Sequence, residues 1–329
     1  MRFKIVVLAK QVPDTRNVGK DAMTAEGTVN RAALPAIFNP EDLNALEMAL
    51  HIKDNIKDAE VIVLTMGPSR AADIIRDSLY RGADCGYVIS DRKVAGSDTL
   101  ATSYTISQGV KKLGKVDLIL AGRQAIDGDT AQVGPQVAEK LKIPQITYAE
   151  EVVKVCEEKI QIKRRLERGI EIVESGYPCL ITVHGSAAEC RFHHAKLLMK
   201  YKNAISEAEA TEQGKDCTAL WERKPYLKIE QWSAADIQAE DHHLGLTGSP
   251  TKVKKIENKK NYYIVYNDVT DEYELTDHSK CRWESSVIFK SDKKELVEER
   301  YKLIIERREG TPKKLSKSEK HISKFHGIY

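Results

Sequence analysis

Short apolar runs alternate with amphipathic stretches over the first part of the chain. The apolar runs end near Ala9, Thr65, Ile89 and Ala121, and apolar residues then recur at helical spacing. Strands that alternate with helices in this way are typical of βαβ units and parallel sheets. We therefore predict an α/β domain over residues 1–185, built on a doubly wound, mostly parallel sheet.

Capping residues indicate where two of the helices begin. Asn39 suits an N-cap with Pro40 in the first turn, and Asp98 precedes a second helical stretch. Three later runs are typical of antiparallel strands that extend the sheet or cover its edge. They are Val152–Cys156, Lys159–Arg165 and Ile170–Val173, with Cys179–Val183 after them.

The periodicity weakens beyond residue 186, where polar and charged residues dominate. A segment with so little apolar content buries too little surface to fold alone. We therefore expect residues 186–255 to form a C-terminal arm that packs on its own domain and on a partner subunit. Residues 256–329 are an extension with a lysine-rich end. The elements predicted here are helices near 196–199 and 234–237, a strand over 262–266 and a charged helix over 293–306.

Composition narrows the function classes. No run approaches the ~20 apolar residues needed to cross a bilayer, so we expect no transmembrane segment. The six cysteines are far apart and show no zinc-ligand or disulfide spacing, which favours a reducing cytoplasm.

The net charge is only +3, and five lysines after residue 310 account for it. A basic terminus of this kind is typical of a solvated tail, so we expect no nucleic-acid binding.

The most informative segment lies between the strand that ends at Ala121 and the next helix. Ligands of open parallel sheets bind at the carboxyl ends of the strands, where N–H groups of a helix start bind phosphate. Thr130 and Gln132 would donate to phosphate or ribose oxygens, whereas Asp127 and Asp129 would accept from ribose hydroxyls or cap the helix. The pattern is compatible with a nucleotide-binding turn and with a simple capped strand-to-helix turn.

Several common nucleotide and catalytic motifs are absent. The first strand leads into Lys10–Pro13 rather than a GxGxxG turn, which disfavours an ordinary Rossmann dehydrogenase. No Walker A sequence supports P-loop phosphoryl transfer, and no GxSxG elbow supports serine hydrolysis. His193–His194 and His242–His243 are adjacent pairs, whose side chains diverge in a regular helix or strand. We therefore expect no metal site and assign no catalytic residue.

Motifs spread over the chain resemble the beta subunit of electron transfer flavoprotein. The resemblance covers about residues 1–200 in order and resumes near residue 245. It implies a Rossmann-like fold of the adenine nucleotide α-hydrolase-like kind, with an extended C-terminal arm. The motifs are Lys10–Thr15, Asn39–Asp42, Gly67–Pro68, Arg81–Asp84, Asp98–Thr102, Ala121–Pro135 and Gly245–Val253.

The resemblance implies a heterodimer with an alpha subunit, whose flavin exchanges electrons with a partner dehydrogenase. The beta subunit alone is then no ordinary enzyme. One branch of the family holds AMP in this subunit. In the electron-bifurcating branch the same crevice accepts FAD, which takes a hydride from NADH and divides the electron pair between two acceptors, one of them a ferredoxin or flavodoxin. Lys10–Thr15 and Arg123–Gln132 are similar to the bifurcating branch, so FAD is expected, with AMP as the alternative.

The resemblance also places the nucleotide on particular residues. Backbone groups of Leu8 and Met66 would contact the adenine edge, and Gly128 would let a pyrophosphate approach the backbone. The candidate cofactor-binding residues are Leu8, Ala9, Asn39, Pro40, Glu41, Asp42, Met66, Asp98, Thr99, Thr102, Gly122, Arg123, Gln124, Ala125, Ile126, Asp127, Gly128, Asp129, Thr130, Ala131, Gln132 and Val133.

The chain departs from the family pattern in two places. Cys190–Ala195 stands where the family usually has a Pro-Arg-Tyr segment and a leucine that anchors the partner, so partner choice does not transfer. The chain also continues beyond Val253 further than expected of the family.

Two rival classes of function are considered. One is an adenine-nucleotide-binding regulator similar to the universal stress family, which lacks the arm. The other is an ATP hydrolase or ligase, which is disfavoured because no pyrophosphatase loop follows the first strand.

Overall fold

The computed structural model describes residues 3–14 and 35–251, together with Glu298 and the backbone of three strands between residues 262 and 291. These residues form two compact units, one up to Thr251 and the other from Tyr262 onward. The strands of the first unit are β1 (Phe3–Ala9), β2 (Gln11–Pro13), β3 (Ala36–Phe38), β4 (Ala59–Met66), β5 (Cys85–Ile89), β6 (Leu118–Gly122), β7 (Gln145–Val155), β8 (Lys159–Leu166), β9 (Gly169–Gly176), β10 (Cys179–Val183), β11 (Ile205–Ser206) and β12 (Lys228–Trp232). Its helices are α1 (Pro40–Asn55), α2 (Ala72–Arg81), α3 (Thr99–Lys112), α4 (Val133–Leu141), α5 (Ala195–Tyr201), α6 (Glu207–Glu212) and α7 (Thr218–Arg223).

The strand order creates a switch point beside β1. In the part of the chain that is described, the main sheet runs β11-β12-β5-β4-β1-β6-β10-β7-β8-β9. Leu8 of β1 lies opposite Leu64 of β4 on one side and Ala121 of β6 on the other, both in parallel register. The chain proceeds from β1 to β4 and β5, and only then crosses to β6. Doubly wound sheets bind ligands in the crevice at such a point. The predicted fold class is confirmed.

Helices cover both faces of this sheet. Ile5 and Val7 of β1 pack in the core with α1 and α2, whereas Val6 and Leu8 pack in the core with α3 and α4. All four side chains are buried. Full burial of such a side chain contributes about 1.5–3 kcal/mol to stability. Burial on both faces explains why the strand is apolar at consecutive positions.

The two edges of the sheet are built differently. β7, β8 and β9 pair in antiparallel fashion at one edge, as predicted, whereas β10 returns inward and pairs in parallel with β6 and β7. At the other edge, β12 pairs with β5, and β11 pairs with β12. Residues 186–255 therefore supply two strands of the same sheet.

Of the two short helices predicted in this segment, one is confirmed and one is wrong. α5 matches the prediction near residues 196–199. Residues 234–237 form a turn instead. The Asp236 carboxylate accepts the N–H and hydroxyl of Ser233, and Gln238 adopts a positive φ of 53°, which ends the turn before a helix can extend.

The second unit contains an antiparallel sheet of β13 (Tyr262–Asn267), β14 (Glu272–Cys281) and β15 (Glu284–Ser291). β13 confirms the strand predicted over residues 262–266. The charged helix predicted over 293–306 lies outside the described residues except for Glu298, which is helical. No helix in the described part of the chain has the length and apolar character needed to cross a membrane.

Candidate nucleotide-binding site

The structure brings most of the candidate residues to one edge of the sheet. Leu8 and Ala9 end β1, Met66 ends β4, and Gly122 ends β6, and these three neighbouring strands are parallel. The starts of α1, α3 and α4 follow the same edge. The crevice at the switch point is therefore lined by the strand ends and the β6–α4 loop, residues 122–132.

The first residue of this arrangement, Asn39, has a different task from the one predicted. α1 begins at Pro40 as expected, but the Asn39 side chain does not cap it. Its Nδ2 donates to the carbonyl of Gln124 at 2.9 Å, and its Oδ1 accepts from the N–H of Ile126 at 3.1 Å. The side chain is fully buried and must find partners. Asn39 therefore occupies the N-cap position, as predicted, but its side chain bonds to the β6–α4 loop instead of to the helix.

Asp42 joins the loop to the end of β1. Its Oδ1 accepts from the N–H of Gly122 at 3.0 Å, and its Oδ2 accepts from the N–H of Lys10 at 2.8 Å. Burial raises the pKa of this carboxyl to about 7, although its hydrogen bonds act in the opposite direction. Gly122 is required here, because a Cβ would overlap the Asp42 carboxylate and lie 2.7 Å from the Glu41 carbonyl carbon.

Glu41 completes the attachment of the loop to α1. Its carboxylate accepts from the N–H of Gln124 at 2.9 Å and pairs with the guanidinium of Arg123 at 2.9 Å. The hydrogen bond to Glu41 raises the pKa of Arg123 above its ordinary value. Nearby, Lys10 donates to Asp127 at 2.6 Å. Sequence reasoning did not include Lys10 in the site, although its position directly after a buried strand was a signal for it.

The second part of the loop presents unused donors. Asp129 and Ala131 adopt positive φ values of 48° and 52°, which ordinary side chains rarely do. Within the described residues, the N–H groups of Thr130, Ala131, Gln132 and Val133 have no hydrogen-bond acceptor. Thr130 is exposed, and the first turn of α4 contains no acidic side chain. Such a concave set of amides at a helix start suits phosphate.

The start of α3 faces the start of α4. Thr99 donates to the side-chain oxygen of Gln132 at 2.9 Å, so Gln132 is already engaged. The Asp98 carboxylate caps α3 through the N–H groups of Leu100 and Ala101, and it also accepts from Thr251. Partial burial opposes ionisation of Asp98, but these hydrogen bonds keep its pKa below the ordinary value. Thr102 is half-buried one turn into α3.

A buried hydroxyl at the end of β4 was missed from the sequence. Thr65 lies opposite Ala9 and is 1% exposed, and its Oγ1 has no hydrogen-bond partner among the described residues. Orphaned buried hydroxyls are rare and call for an explanation. Within an apolar run, threonine gave no signal of this, because its methyl group suits a buried strand.

Comparison with known proteins identifies the family. The model of the electron transfer flavoprotein domain matches residues 26–213. The electron transfer flavoprotein subunit beta of Megasphaera elsdenii is 44% identical over 260 residues, which cover 77% of this chain and 87% of that protein. The chain belongs to the electron transfer flavoprotein family. The resemblance to its beta subunits is thereby confirmed, and so is a general role in electron transfer.

Two further members of the electron transfer flavoprotein family carry informative names. Subunit CarD of the caffeyl-CoA reductase–Etf complex of Acetobacterium woodii is 44% identical over 251 residues, covering 76% of this chain and 86% of CarD. The electron transfer subunit gamma of acryloyl-CoA reductase from Anaerotignum propionicum is 42% identical over 257 residues, covering 77% of this chain and 87% of that protein. The first name associates a relative with caffeyl-CoA reductase, and the second associates one with acryloyl-CoA reductase.

Proposed function

We propose that this chain is the beta subunit of an electron transfer flavoprotein that binds FAD at the switch point of its sheet. With an alpha subunit it takes electrons from NADH and passes them, by bifurcation, to a partner dehydrogenase and to a low-potential acceptor such as a ferredoxin or flavodoxin. The observation that carries the proposal is the run of N–H groups from Thr130 to Val133 at the start of α4, which have no acceptor among the described residues. AMP is the alternative occupant.

The donor set fits the pyrophosphate of FAD. Four adjacent amides that have no acceptor within residues 3–14 and 35–251, an exposed Thr130 hydroxyl and the positive end of the α4 dipole all favour an anion. A Cβ added to Gly128 would meet no atom within 4 Å, so the chain leaves this side of the loop open. Bound FAD would supply the hydride and single-electron chemistry. The residues of this chain would position it.

The beginning of α1 fixes the shape of the binding loop. Asn39, Glu41 and Asp42 together hold the backbone of residues 122–126 through direct hydrogen bonds. The loop therefore needs no ligand to set its first half. A preorganised loop of this kind loses little conformational entropy when the nucleotide binds.

The names of the two relatives support an acyl-CoA reductase or similar dehydrogenase as the partner. The segment 190–195 offers a contact for it, since Phe192 is 94% exposed. The residues beside Phe192 are fixed: Arg191 pairs with Glu47 at 2.8 Å, and His193 lies 3.1 Å from Asp77. We assign the alpha-subunit contact to the rest of the arm, that is, to residues 186–255 without the segment 190–195. The free thiols of the described cysteines suit a cytoplasmic location.

The test is to co-express the chain with its alpha subunit, extract the bound nucleotides and count them per heterodimer. Two FAD molecules, with flavin reduction by NADH under anaerobic conditions, support the proposal. One FAD with one AMP replaces it by a simple electron carrier. A heterodimer without a nucleotide in this subunit overturns the site itself.

Partner docking is tested separately with Phe192→Ala. We expect slower electron transfer to the dehydrogenase with unchanged nucleotide content, because the side chain contacts nothing that holds the loop. Ile172→Ala is the matched control, since Ile172 is also an exposed apolar residue, on β9. Equal rates for Phe192→Ala and the unmodified heterodimer would exclude Phe192 as a contact.

A further inference from the structure

A cluster of three metal-ligating side chains lies on the turn after β12, outside the nucleotide site. It consists of Glu240, His242 and His243, and it is the single group of this type in the described residues. We infer that this turn binds a divalent transition-metal ion of the Zn²⁺ class through one carboxylate and two imidazoles. The inference is independent of the function proposed above.

The ligand atoms lie close to the separation that a tetrahedral ion requires. The Nε2 of His242 lies 3.4 Å from the Oε2 of Glu240, and the Nε2 of His243 lies 3.8 Å from the same oxygen. All three ligand atoms lie within 4.8 Å of one another. Zinc bonds of about 2.0–2.1 Å in tetrahedral geometry put neighbouring ligands about 3.3–3.4 Å apart. Closing these separations to the tetrahedral value requires shifts of at most about 1.5 Å, which rotation of exposed side chains provides.

The local backbone explains why two adjacent histidines converge. Asp241–His243 forms a single 3-10 turn rather than a regular helix or strand. Residues i and i+3 eclipse in such a turn, which places His243 over Glu240, and the His242 ring lies beside it with 4.0 Å between the two ring centroids and a tilt of 41°. The expectation that adjacent histidines diverge holds for regular elements and fails for this turn.

The turn is held in place by contacts that leave the ligand atoms free. The N–H of Glu240 donates to the hydroxyl of Tyr104 at 3.0 Å, and the ring of His243 packs on that of Tyr104 at 4.7 Å. Leu244, the next residue, is buried. Gly248 packs against the His243 backbone so closely that a Cβ would lie 2.7 Å from its Cα. The site is thus preorganised, which lowers the cost of binding.

The ligand set points to zinc-like ions rather than to calcium or magnesium. Two imidazoles and one carboxylate are a ligand set of open zinc sites, which keep water in a fourth position, whereas Mg²⁺ and Ca²⁺ prefer oxygen alone. A bound ion would also join Glu240 to His242 and His243. The chain then continues to Thr251, whose N–H donates to the Asp98 carboxylate at the start of α3.

The experiment uses Co²⁺ as a spectroscopic substitute for Zn²⁺, titrated into the full-length chain co-purified with its alpha subunit. We expect the visible bands of tetrahedral Co²⁺, and their disappearance when Zn²⁺ is added in competition. Glu240→Gln and His242→Ala should each weaken Co²⁺ binding at least about tenfold, as the loss of even an outer-shell partner does. Both side chains are mainly exposed, so the fold should persist.

The other adjacent pair provides the matched control. His193→Ala combined with His194→Ala removes two imidazoles that belong to no three-ligand group in the described residues, so Co²⁺ binding should be unchanged. If Glu240→Gln and His242→Ala bind Co²⁺ as tightly as the unmodified chain, the assignment is wrong. It is equally wrong if no tetrahedral bands develop.

Discussion

The two halves of the β6–α4 loop differ in what their backbone groups bind. In the first half, residues 122–126, the backbone is hydrogen-bonded to the side chains of Asn39, Glu41 and Asp42 at the start of α1. In the second half, residues 128–132, the backbone turns through two left-handed residues, and the N–H groups of Thr130, Ala131 and Gln132 have no acceptor among the described residues. One half is a fixed support, and the other is the surface that a ligand meets.

This difference separates two kinds of candidate residue. The polar side chains at the start of α1 act on the protein, so changing them should alter stability first and nucleotide binding as a consequence. Residues of the second half contact little of the protein, so changing them should alter nucleotide binding alone. The predictions below test that division.

The largest effect is expected from Gly122→Ala. The new Cβ would overlap the Asp42 carboxylate and press on the Glu41 backbone, neither of which is a flexible side-chain end free to move. We expect a loss of about 3 kcal/mol in the free energy of unfolding, measured by urea denaturation. Gly128→Ala is the control, because a Cβ there meets nothing. A change of similar size in both variants would abolish the distinction between the two halves.

Thr130→Arg tests the second half. The side chain is exposed at the free amides, so a long cationic group would fill the place of the nucleotide without disturbing the protein. We expect the beta-side nucleotide to fall about a hundredfold in affinity, or about 2.7 kcal/mol, while the alpha-side flavin stays. Nucleotide extraction measures both. Thr218→Arg, an exposed threonine at the start of α7, should retain both nucleotides. Full retention in Thr130→Arg would contradict the site.

Asp42, which holds the first half of the loop, makes the free energy of unfolding depend on pH. Burial raises its pKa to about 7, whereas an aspartate in the unfolded chain titrates near about 3.9. Between these values the native state holds a proton that the unfolded state has released. The contribution of Asp42 to stability therefore falls as the pH rises from about 4 to about 7, by up to about 1.4 kcal/mol per pH unit. Asp42→Asn should remove this slope from the unfolding free energy.

Asp91→Asn is a control of opposite sign. A hydrogen bond from the N–H of Lys93 keeps the pKa of Asp91 below its ordinary value, so its contribution is present above the unfolded pKa and lost as the pH falls. Removing Asp91 should change the slope only in the acid range. If Asp42→Asn and the unmodified chain show equal slopes between pH 4 and 7, the burial of Asp42 does not control its protonation.

The sequence predicts the architecture better than the contacts of the site. Continuous apolar runs such as Ile5–Ala9 report burial on both faces, and that is a local property of the chain. The position of β10 between β6 and β7 depends on which strand a run pairs with, and periodicity contains no such information. The helix predicted over 234–237 stops after a single turn because Gln238 adopts a positive φ of 53°.

The site shows the same limit in its polar residues. The β6–α4 loop could be found because small residues and hydroxyls follow a buried strand directly. The role of Asn39 could not, since its partners Gln124 and Ile126 are 85 and 87 positions away in the chain. A capping asparagine and a loop-holding asparagine have the same local pattern, and only the fold decides between them.

The smallest effect is expected from Thr99→Val. Thr99 begins α3 and contacts the end of the second half of the loop. The Thr99 hydroxyl holds the side chain of Gln132, next to the free amides, at 2.9 Å. Loss of one hydrogen bond costs about 0.5–1.5 kcal/mol, so nucleotide affinity should fall by a small factor, measurable by calorimetry. Ser107→Ala is the matched control, because that hydroxyl donates to a carbonyl of its own helix, that of Tyr104. An equal response in the two variants would show that α3 supports the site only through its general stability.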